Sequence, residues 1–259
     1  MTAFLTRSRF LSLFVAALLA AAAATPVAAQ DKSPAAPMPK AEREKIESVV
    51  KAYILKNPEV IIEAIQGLRE REERKTQEMA KANLGTVTDA LVKDPNTPIG
   101  GNPKGDVNVI EFFDYRCGYC KRVFPDILKL VEGDKNVRFV YVEFPILGPD
   151  SLTASKAGLA AWLLDKSKYE VFHSAMMTGK GGLPEERVMK FAEQSGYDVK
   201  ALKKAMSDPR IESMIEKNMG LAKALDINGT PGFIIGDQII RGAVDLKSMQ
   251  ALVAKARGG

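Results

Sequence analysis

The chain has 259 residues, enough for one large domain with a smaller appendage, and 46% of them are hydrophobic, so a packed core is expected. The net charge of +5 falls to about +3 without Arg7 and Arg9, and the other charges are mixed in sign. This weak, unclustered charge excludes the basic footprint of a nucleic-acid-binding protein.

The first 29 residues have the three parts of a secretory signal peptide. Arg7 and Arg9 form a positive flank, an apolar run follows over residues 10–24, and small residues at 27–29 provide a cleavage site. The apolar run is too short to cross a bilayer comfortably, although an uncleaved anchor is the alternative. We therefore expect export, removal of residues 1–29 and a soluble mature protein.

A helical segment is predicted between a disordered leader and the main domain. Residues 30–40 are rich in Pro and Ala and form the leader, and residues 41–93 form the helical segment and its linker. Asn57-Pro58 breaks the helix and restarts it, with Asn57 as the N-cap. Apolar residues at helical spacing form a stripe on each side of this break: Ile46, Val49, Val50, Tyr53 and Ile54, then Ile61, Ala64, Ile65 and Leu68.

The two apolar stripes need a partner, because short helices joined by a charged segment cannot bury both faces alone. Residues 69–81 are almost all charged or polar, and they form either a solvated helix or a flexible connector. Exposed apolar stripes usually mark an interface, so we favour self-association through this oligomerisation segment. The alternative is a helical hairpin docked on the chain's own domain.

The main domain is predicted to cover residues 94–259 and to begin in a loop. Residues 94–106 are dense in Pro, Gly and Asn, which is typical of a boundary. Residues 107–113 and 137–144 have strand patterns, and a helix face lies between them, so together they predict a parallel βαβ unit. Residues from about 150 to 226 are mostly helical by pattern, and they are followed by a β-hairpin and a last helix.

Cys117 and Cys120 are the candidate redox pair. A bridge between them closes a very small loop and restrains little of the unfolded chain, so a structural role is disfavoured. Cys117 lies where a strand gives way to a helix, and the free N–H groups and dipole of a helix N-terminus favour a thiolate nucleophile. Cys120, one turn further on, is expected to be more buried and to act as the resolving thiol.

Three other positions bear on the same site. Thr230-Pro231 precedes a strand and would suit a cis turn that exposes backbone beside the thiols. Glu111 lies in an otherwise apolar strand, where it either relays a proton to or from Cys120 or faces water, and strand alternation does not settle which. His173 is expected to be a packed or surface residue, because two cysteines and one histidine cannot complete a tetrahedral zinc site.

The run EFFDYRCGYC at residues 111–120, the helical insertion and Thr230-Pro231 resemble the DsbA family of thiol–disulfide oxidoreductases. The resemblance covers about residues 105–257 and implies an α/β thioredoxin fold with an inserted helical domain. It assigns nucleophile, resolving thiol and buried acid to Cys117, Cys120 and Glu111, and it implies a cis-proline at Thr230-Pro231. With the N-terminal helical segment, the mature chain is most similar to the suppressor of copper sensitivity protein C (ScsC) group, periplasmic proteins of which some are trimers.

Gly118-Tyr119 stands between the cysteines where the oxidases of this family have Pro-His, so no histidine is available to stabilise the thiolate. Gly-Tyr, with Thr230 before the proline, is similar to the DsbC type of isomerase. The resemblance thus implies a periplasmic disulfide isomerase that acts on client proteins and needs no cofactor beyond its redox-active disulfide. It also implies a membrane thiol reductase of the DsbD/ScsB type as partner, and a homo-oligomer, with a trimer favoured.

Two alternatives stay open at this point. The first is a monomeric dithiol oxidase, in which the N-terminal helices are only an appendage. The second is a Cu(I)-binding copper-tolerance protein that uses the same Cys117 and Cys120, since thiolates are soft ligands suited to Cu(I).

Overall fold

A computed structural model describes residues 38–258, so the predicted signal peptide and most of the leader lie outside the described residues. By its internal contacts the chain divides into two units, Met1–Val60 and Ile61–Gly259. The described part of the first unit contains helix α1 (Lys40–Lys56). The prediction that the Asn57 side chain caps the start of the second helix is wrong. Asn57 is instead the C-cap residue of α1, and its side-chain amide donates to the Tyr53 carbonyl at 2.9 Å.

Helix α2 (Glu59–Val92) runs for 34 residues without a break. Residues 69–81 are therefore a solvated helix and not a connector. The C-terminal half of α2 buries Ala80, Leu84, Val87 and Leu91, whose spacing of three and four residues places them on one face. The apolar stripe residues Ile61, Ile65 and Leu68 near its start are exposed, as are Ile46, Val49, Val50 and Tyr53 on α1.

The second unit is built on a five-stranded sheet of order β1-β3-β2-β4-β5. Strands β2 and β3 are parallel, and the other neighbours are antiparallel. Strand β1 lies within the predicted loop and escapes the pattern, because it has only three residues, two of them glycine, and is defined by its pairing with β3. The strands are β1 (Ile99–Gly101), β2 (Val107–Phe113), β3 (Val137–Glu143), β4 (Gly232–Ile235) and β5 (Gln238–Arg241).

Five of the seven remaining α-helices lie between β3 and β4 and confirm the predicted helical insertion. The side chains of Asp198, Asp208 and Asp245 each accept a backbone N–H group at the start of one of the seven helices. The helices are α3 (Gly118–Gly133), α4 (Pro149–Leu164), α5 (Tyr169–Thr178), α6 (Glu185–Gln194), α7 (Val199–Met206), α8 (Pro209–Ala224) and α9 (Leu246–Ala256), with a 3₁₀ turn at Lys166–Lys168. Over residues 38–258, no helix is both long and apolar enough to cross a membrane.

Two apolar clusters lie on the two faces of the sheet. Val109 and Phe113 of β2 belong to the larger cluster, which also contains residues of α3, α9 and the insertion as well as both cysteines. Ile110 and Phe112 point the other way, into a cluster with the buried face of α2. Since side chains alternate along a strand, Glu111 shares the face of Val109 and Phe113 and lies on the side of the cysteines.

Candidate active site

Cys117 is the N-cap residue of α3, as predicted. Its sulfur accepts the backbone N–H of Cys120 at 3.5 Å, so it receives one of the N–H groups left free at the helix N-terminus. Across the site, the same sulfur lies 3.2 Å from the carbonyl oxygen of Thr230. This carbonyl can only accept a hydrogen, so the contact suits the protonated thiol, whereas the donors on α3 suit the thiolate.

The balance of these contacts favours the thiolate of Cys117. A hydrogen bond from the Cys120 side chain is the largest cause. Together with a hydrogen bond with the Thr230 side chain and the backbone N–H groups of Cys120 and Tyr119, it lowers the pKa of Cys117 to about 5, against the opposing effect of burial. At neutral pH Cys117 is therefore mostly a thiolate, the form that attacks disulfides. No histidine is needed for this, because Cys120 and the helix N-terminus supply the donors.

Cys120 has the opposite character. It is fully buried, and the hydrogen bond to Cys117, desolvation and the nearby Glu111 all raise the pKa of its thiol well above the ordinary range. A thiol that keeps its proton beside a thiolate has the chemistry of a resolving group that must be deprotonated before it attacks.

Glu111 is fully buried, so the alternative that it faces water is wrong. On the central strand β2 it is paired with Tyr141 of β3 on one side and Phe233 of β4 on the other. Neither carboxylate oxygen has a hydrogen-bond partner among the described residues. Desolvation first, and the Cys117 thiolate second, raise the pKa of Glu111 to about 8, within the range in which it can exchange a proton with Cys120 near neutral pH.

Thr230 and Pro231 are joined by a cis peptide bond, as expected from the sequence. They connect α8 to β4, and the pairing of β4 with β2 places them opposite the start of α3. The four positions singled out from the sequence, Cys117, Cys120, Glu111 and Thr230-Pro231, are thus brought together at one end of the sheet.

Sequence reasoning missed Asp114, which shapes the loop before Cys117. Its fully buried carboxylate accepts the backbone N–H groups of Arg116 at 2.8 Å, Ile146 at 2.9 Å and Leu147 at 3.0 Å. It therefore ties the active-site loop to the segment after β3. The Asp-x-Arg spacing is an Asx turn, a weak local signal, but the two longer-range bonds had no signal in the sequence.

A buried polar cluster lies behind the same loop. His173 of α5 is buried, so it is the packed residue and not the surface residue of the two possibilities that the sequence left open. Its Nδ1 atom is 2.9 Å from the Tyr115 hydroxyl. Desolvation first, with Lys121 second, lowers the pKa of His173 to about 3, so the ring is neutral. Glu143 is also fully buried, accepts a hydrogen bond from Ser155 at 2.7 Å, and has its pKa raised by desolvation.

Comparison with known proteins agrees with this geometry. Residues 93–255 match the Thioredoxin family, and residues 42–75 match the Copper resistance protein ScsC N-terminal domain. A thioredoxin-like oxidoreductase from Silicibacter pomeroyi DSS-3 is 43% identical, with a TM-score of 0.64, over 66% of this chain and 98% of that one. Proteus mirabilis ScsC in a transitional conformation is 27% identical, with a TM-score of 0.64, over 86% of this chain and 98% of that one.

Curated relatives match over different shares of their own length. The Bacillus subtilis disulfide bond formation protein D is 26% identical over 172 residues, which are 62% of this chain and 78% of that protein. In contrast, the chain spans only 28% of the length of a Na(+)/H(+) antiporter NhaA 1 from Salinispora arenicola, at 25% identity. From the fold, the paired cysteines and these matches, the chain belongs to the thioredoxin family, among the DsbA-like thiol–disulfide oxidoreductases that include the ScsC proteins.

Proposed function

We propose that this protein exchanges disulfides with client proteins through Cys117 and Cys120, and that isomerisation is its main activity. The observation that carries the proposal is the Cys117 sulfur, which lies at the N-terminus of α3 with a lowered pKa and faces the carbonyl of Thr230. The backbone at Thr230 offers an extended client segment a place to pair beside the nucleophile, so Thr230 and Pro231 position the client.

The first step is the attack of the Cys117 thiolate on a client disulfide. One S–S bond forms between Cys117 and the client, and the client's other sulfur leaves as a thiolate. A different client thiolate then attacks the client sulfur that is bound to Cys117. A new client disulfide forms, the bond to Cys117 breaks, and Cys117 leaves as a thiolate. No net oxidation occurs in this cycle, so it needs the reduced form of the protein.

The second route uses Cys120. Its thiolate attacks the Cys117 sulfur, the client leaves as a thiol, and the Cys117–Cys120 disulfide forms. The Cys120 proton goes to Glu111, whose pKa is raised in part by the Cys117 thiolate. In the mixed disulfide Cys117 carries no charge, so Glu111 becomes more acidic and more of it is the carboxylate that accepts a proton.

Reduction of the Cys117–Cys120 disulfide, which returns the protein to the form that isomerises, requires an electron donor. We infer a membrane thiol reductase of the DsbD/ScsB type as partner, and the periplasm as the place where both meet clients. The predicted signal peptide at residues 1–29 supports export. The weak net charge and the absence of a nucleic-acid footprint in the sequence agree with protein clients.

An assembly of several copies, with a trimer favoured, would place more than one dithiol around one client. The support is the row of exposed apolar side chains on α1 and at the start of α2, which single helices do not keep in water without a partner. The match of residues 42–75 to the ScsC N-terminal domain falls on the same segment. We therefore assign α1 and the exposed first part of α2 to assembly. The buried second part of α2 packs on the sheet and belongs with residues 94–259 to the catalytic unit, so the predicted boundary after residue 93 lies too late in the chain.

The test compares two charge substitutions on α1 of the full mature chain. Val50→Asp places a carboxylate within the apolar stripe, whereas Leu55→Asp alters a residue that is 73% exposed on the opposite side of the same helix. Solution mass and the recovery of activity from a scrambled disulfide substrate are measured for both. We expect Val50→Asp to dissociate the assembly and to lower isomerase activity while oxidation of reduced substrate persists, and Leu55→Asp to match the wild type.

A wild-type protein that is already a monomer would contradict the assembly, and the monomeric dithiol oxidase would then be the better account. Loss of assembly in Val50→Asp with unchanged isomerase activity would show that assembly does not serve isomerisation.

Cu(I) binding is the second candidate, favoured by the name of the matching N-terminal domain. Two sulfur donors fit Cu(I), and the low pKa of Cys117 provides one thiolate at neutral pH. Within residues 38–258 no group of three or more His, Cys, Asp or Glu side chains is placed to hold a metal ion, so the proposal names these two cysteines alone. A competition assay with a Cu(I) chelator tests it: binding that is lost in Cys117→Ser and Cys120→Ser supports a copper role, and weak binding unchanged by either substitution contradicts it.

A further inference from the structure

Four connections of the chain meet around Cys117. The α8–β4 connection lies there because the Cys117 sulfur is 3.2 Å from the Thr230 carbonyl oxygen. The β3–α4 connection is bonded to Asp114 of the β2–α3 connection. The α5–α6 connection begins at Gly179, whose carbonyl accepts a hydrogen bond from Lys121 of α3 at 3.0 Å. A client that reaches Cys117 therefore meets these connections, which are residues 114–117, 144–148, 179–184 and 225–231.

The charged residues of the four connections and of the first turn of α3 are unbalanced in sign. Two are acids, and neither is free to face a client: Asp114 is fully buried, and Asp226 forms an ion pair with Arg241 at 3.4 Å. The cations are Arg116, Lys121, Arg122 and Lys180. The acids just outside, Asp150, Glu185 and Glu186, lie in the first turns of α4 and α6, where they offset the positive ends of those helix dipoles.

Of these cations, Lys121 is already occupied within the fold. Its ammonium group has three N–H donors, and it donates to the carbonyl oxygens of Met176 at 2.6 Å, Gly179 at 3.0 Å and Met177 at 3.2 Å, at the end of α5. Lys121 therefore joins the helical insertion to α3 and has no donor left for a client.

Arg116, the residue before Cys117, is exposed and keeps most of its donors. Its Nη1 atom donates to the Leu147 carbonyl at 2.6 Å, and its side chain makes no other hydrogen bond or ion pair within residues 38–258. A guanidinium group has five N–H donors, so four of them remain for a ligand. The bond to Leu147 meanwhile fixes the position of the charge beside the nucleophile.

Arg122 is held on the other side of Cys117 along the chain. Its guanidinium carbon lies 4.4 Å from the centre of the Tyr119 ring, and Tyr119, between the two cysteines, is 58% exposed. Arg122 is exposed as well and has no ion-pair partner in the described part of the chain. A guanidinium group that stacks on a ring face keeps the N–H donors on its edge, and it loses less freedom when it binds a carboxylate.

We propose that Arg116 and Arg122 form a basic rim that selects clients with acidic residues beside the reacting disulfide. The proposal rests on the proposed function and names the class of substrate that it prefers. Residues within two positions of a client cysteine lie within about 7 Å of it, which is inside the Debye length of about 10 Å at 0.1 M salt. Carboxylates at those positions can reach the rim, where an arginine binds them with two parallel hydrogen bonds.

Three peptide disulfides test the proposal. Each is a symmetric dimer of the acetylated and amidated peptide Gly-X-Cys-X-Gly, in which X is Glu, Gln or Lys. The Cys117 thiolate attacks the peptide disulfide, a mixed disulfide forms and one peptide leaves as a thiolate. Cys120 passes its proton to Glu111 and attacks the Cys117 sulfur, the Cys117–Cys120 disulfide forms and the second peptide leaves. The peptide disulfide is the only oxidant, and it is reduced to two thiols as the protein loses two electrons.

The experiment uses the reduced, full mature chain as wild type, Arg116→Gln, Arg122→Gln and the double variant. The matched control is Lys129→Gln, because Lys129 is an exposed cation on the same helix but lies about 18 Å further along its axis than Cys117. Chromatography of the released peptide thiol after acid quenching gives each rate at about 20 mM and about 500 mM salt, between which screening differs strongly. Each rate is divided by that of the same peptide with dithiothreitol, which removes the intrinsic reactivity of the peptide.

At the lower salt concentration the wild type should react about tenfold faster with the Glu peptide than with the Lys peptide, and about twofold faster at the higher one. The double variant should lower the first ratio to about twofold, the single variants should lie between, and Lys129→Gln should match the wild type. A substitution that only alters the reactivity of Cys117 changes the rates with all three peptides equally, so it leaves the ratio unchanged. If Arg116→Gln does not fold, Arg122→Gln carries the test, with Arg122→Lys as the variant that keeps the charge and most of the ratio.

A wild type with equal rates for the Glu and Lys peptides at the lower salt concentration overturns the proposal. A ratio that persists unchanged in the folded double variant, or in Arg122→Gln where only that variant folds, overturns it too. A wild type that reacts with none of the three peptides, although dithiothreitol reduces them, contradicts the proposed function itself.

Discussion

The Cys117 sulfur and the Thr230 carbonyl oxygen lie 3.2 Å apart although 113 residues separate them in the chain. The sheet produces this contact, because α3 follows β2 and the Thr230-Pro231 turn leads into β4, which is the antiparallel neighbour of β2. The nucleophile and the backbone that faces a client are therefore held by adjacent strands. Most consequences of the proposed chemistry follow from this arrangement and from the groups buried beside it.

Alkylation of Cys117 by iodoacetamide should follow a single ionisation with a midpoint at about pH 5. The hydrogen bond from Cys120 is the largest cause of the low pKa, so Cys120→Ala should move the midpoint up by at least about one unit. Mass spectrometry of protein quenched at intervals measures both rates. A midpoint near pH 8.5 in the wild type, the ordinary range of a cysteine, would contradict the assignment of Cys117 as the activated thiol.

Glu111→Gln should stabilise the reduced protein at high pH. The pKa of Glu111 is raised to about 8, so its favourable protonated form contributes stability that is complete below about pH 4.5 and is lost as pH rises through about 8. Glutamine has no such loss, and the difference in the free energy of unfolding should grow by several kcal/mol from about pH 5 to about pH 9, at about 1.4 kcal/mol per pKa unit. Denaturant unfolding measures it.

The control for this substitution is Glu132→Gln, which alters an exposed carboxylate on α3. The free energy of unfolding of this control should change with pH in the same way as that of the wild type. If the free energy of unfolding of Glu111→Gln also changes with pH in the same way as that of the wild type, Glu111 is not a buried acid with a raised pKa. It would then not be the proton acceptor for Cys120.

Asp114→Ala should lower the free energy of unfolding by about 3 kcal/mol and slow the reactions of Cys117. The substitution leaves the N–H groups of Ile146 and Leu147 without their acceptor, and bonds to a charged group are each worth about 1.5–3 kcal/mol. Asp114→Asn keeps one acceptor oxygen and should lose less. Chemical denaturation with Asp126→Ala as the surface control distinguishes these cases, and a fully stable Asp114→Ala would contradict the role of this loop.

Tyr115→Phe should cost about 1–3 kcal/mol of stability, because it leaves the Nδ1 atom of His173 buried without a partner. Tyr119→Phe is the matched control, since Tyr119 is 58% exposed and loses only a solvated hydroxyl. Thermal unfolding of the two variants is the measurement. Equal stability of both would mean that the bond between the active-site loop and α5 contributes nothing to the fold.

The sequence predicts the site better than its surroundings. Cys117 at a helix start, Cys120 one turn later and the turn at Thr230-Pro231 each follow from local chemistry, and the structure has them in place. The continuous polar stretch over 69–81 fits either a solvated helix or a flexible connector from the sequence alone. In the structure it is the middle of one helix that continues on both sides of it. Strand β1 escapes prediction, because three residues with two glycines carry no strand pattern of their own.

Long-range polar contacts are the part that pattern cannot supply. Strand alternation leaves the direction of Glu111 open, and only the packing of Val109 and Phe113 against α3 fixes it. The partners of Asp114 and Lys121 lie more than thirty residues away in elements whose relative placement depends on the whole fold. A lysine after a cysteine looks like any solvated charge until the end of α5 is seen beside it.

The most direct test of the account is to trap the mixed disulfide. Cys120→Ser removes the resolving thiol, so after incubation with a scrambled client protein we expect a covalent complex in which Cys117 is joined to a client cysteine, found by non-reducing electrophoresis and peptide mass mapping. The same experiment with Cys117→Ser should give no complex. A complex formed by Cys117→Ser, or none formed by Cys120→Ser while the wild type is active on the client, would contradict Cys117 as the nucleophile.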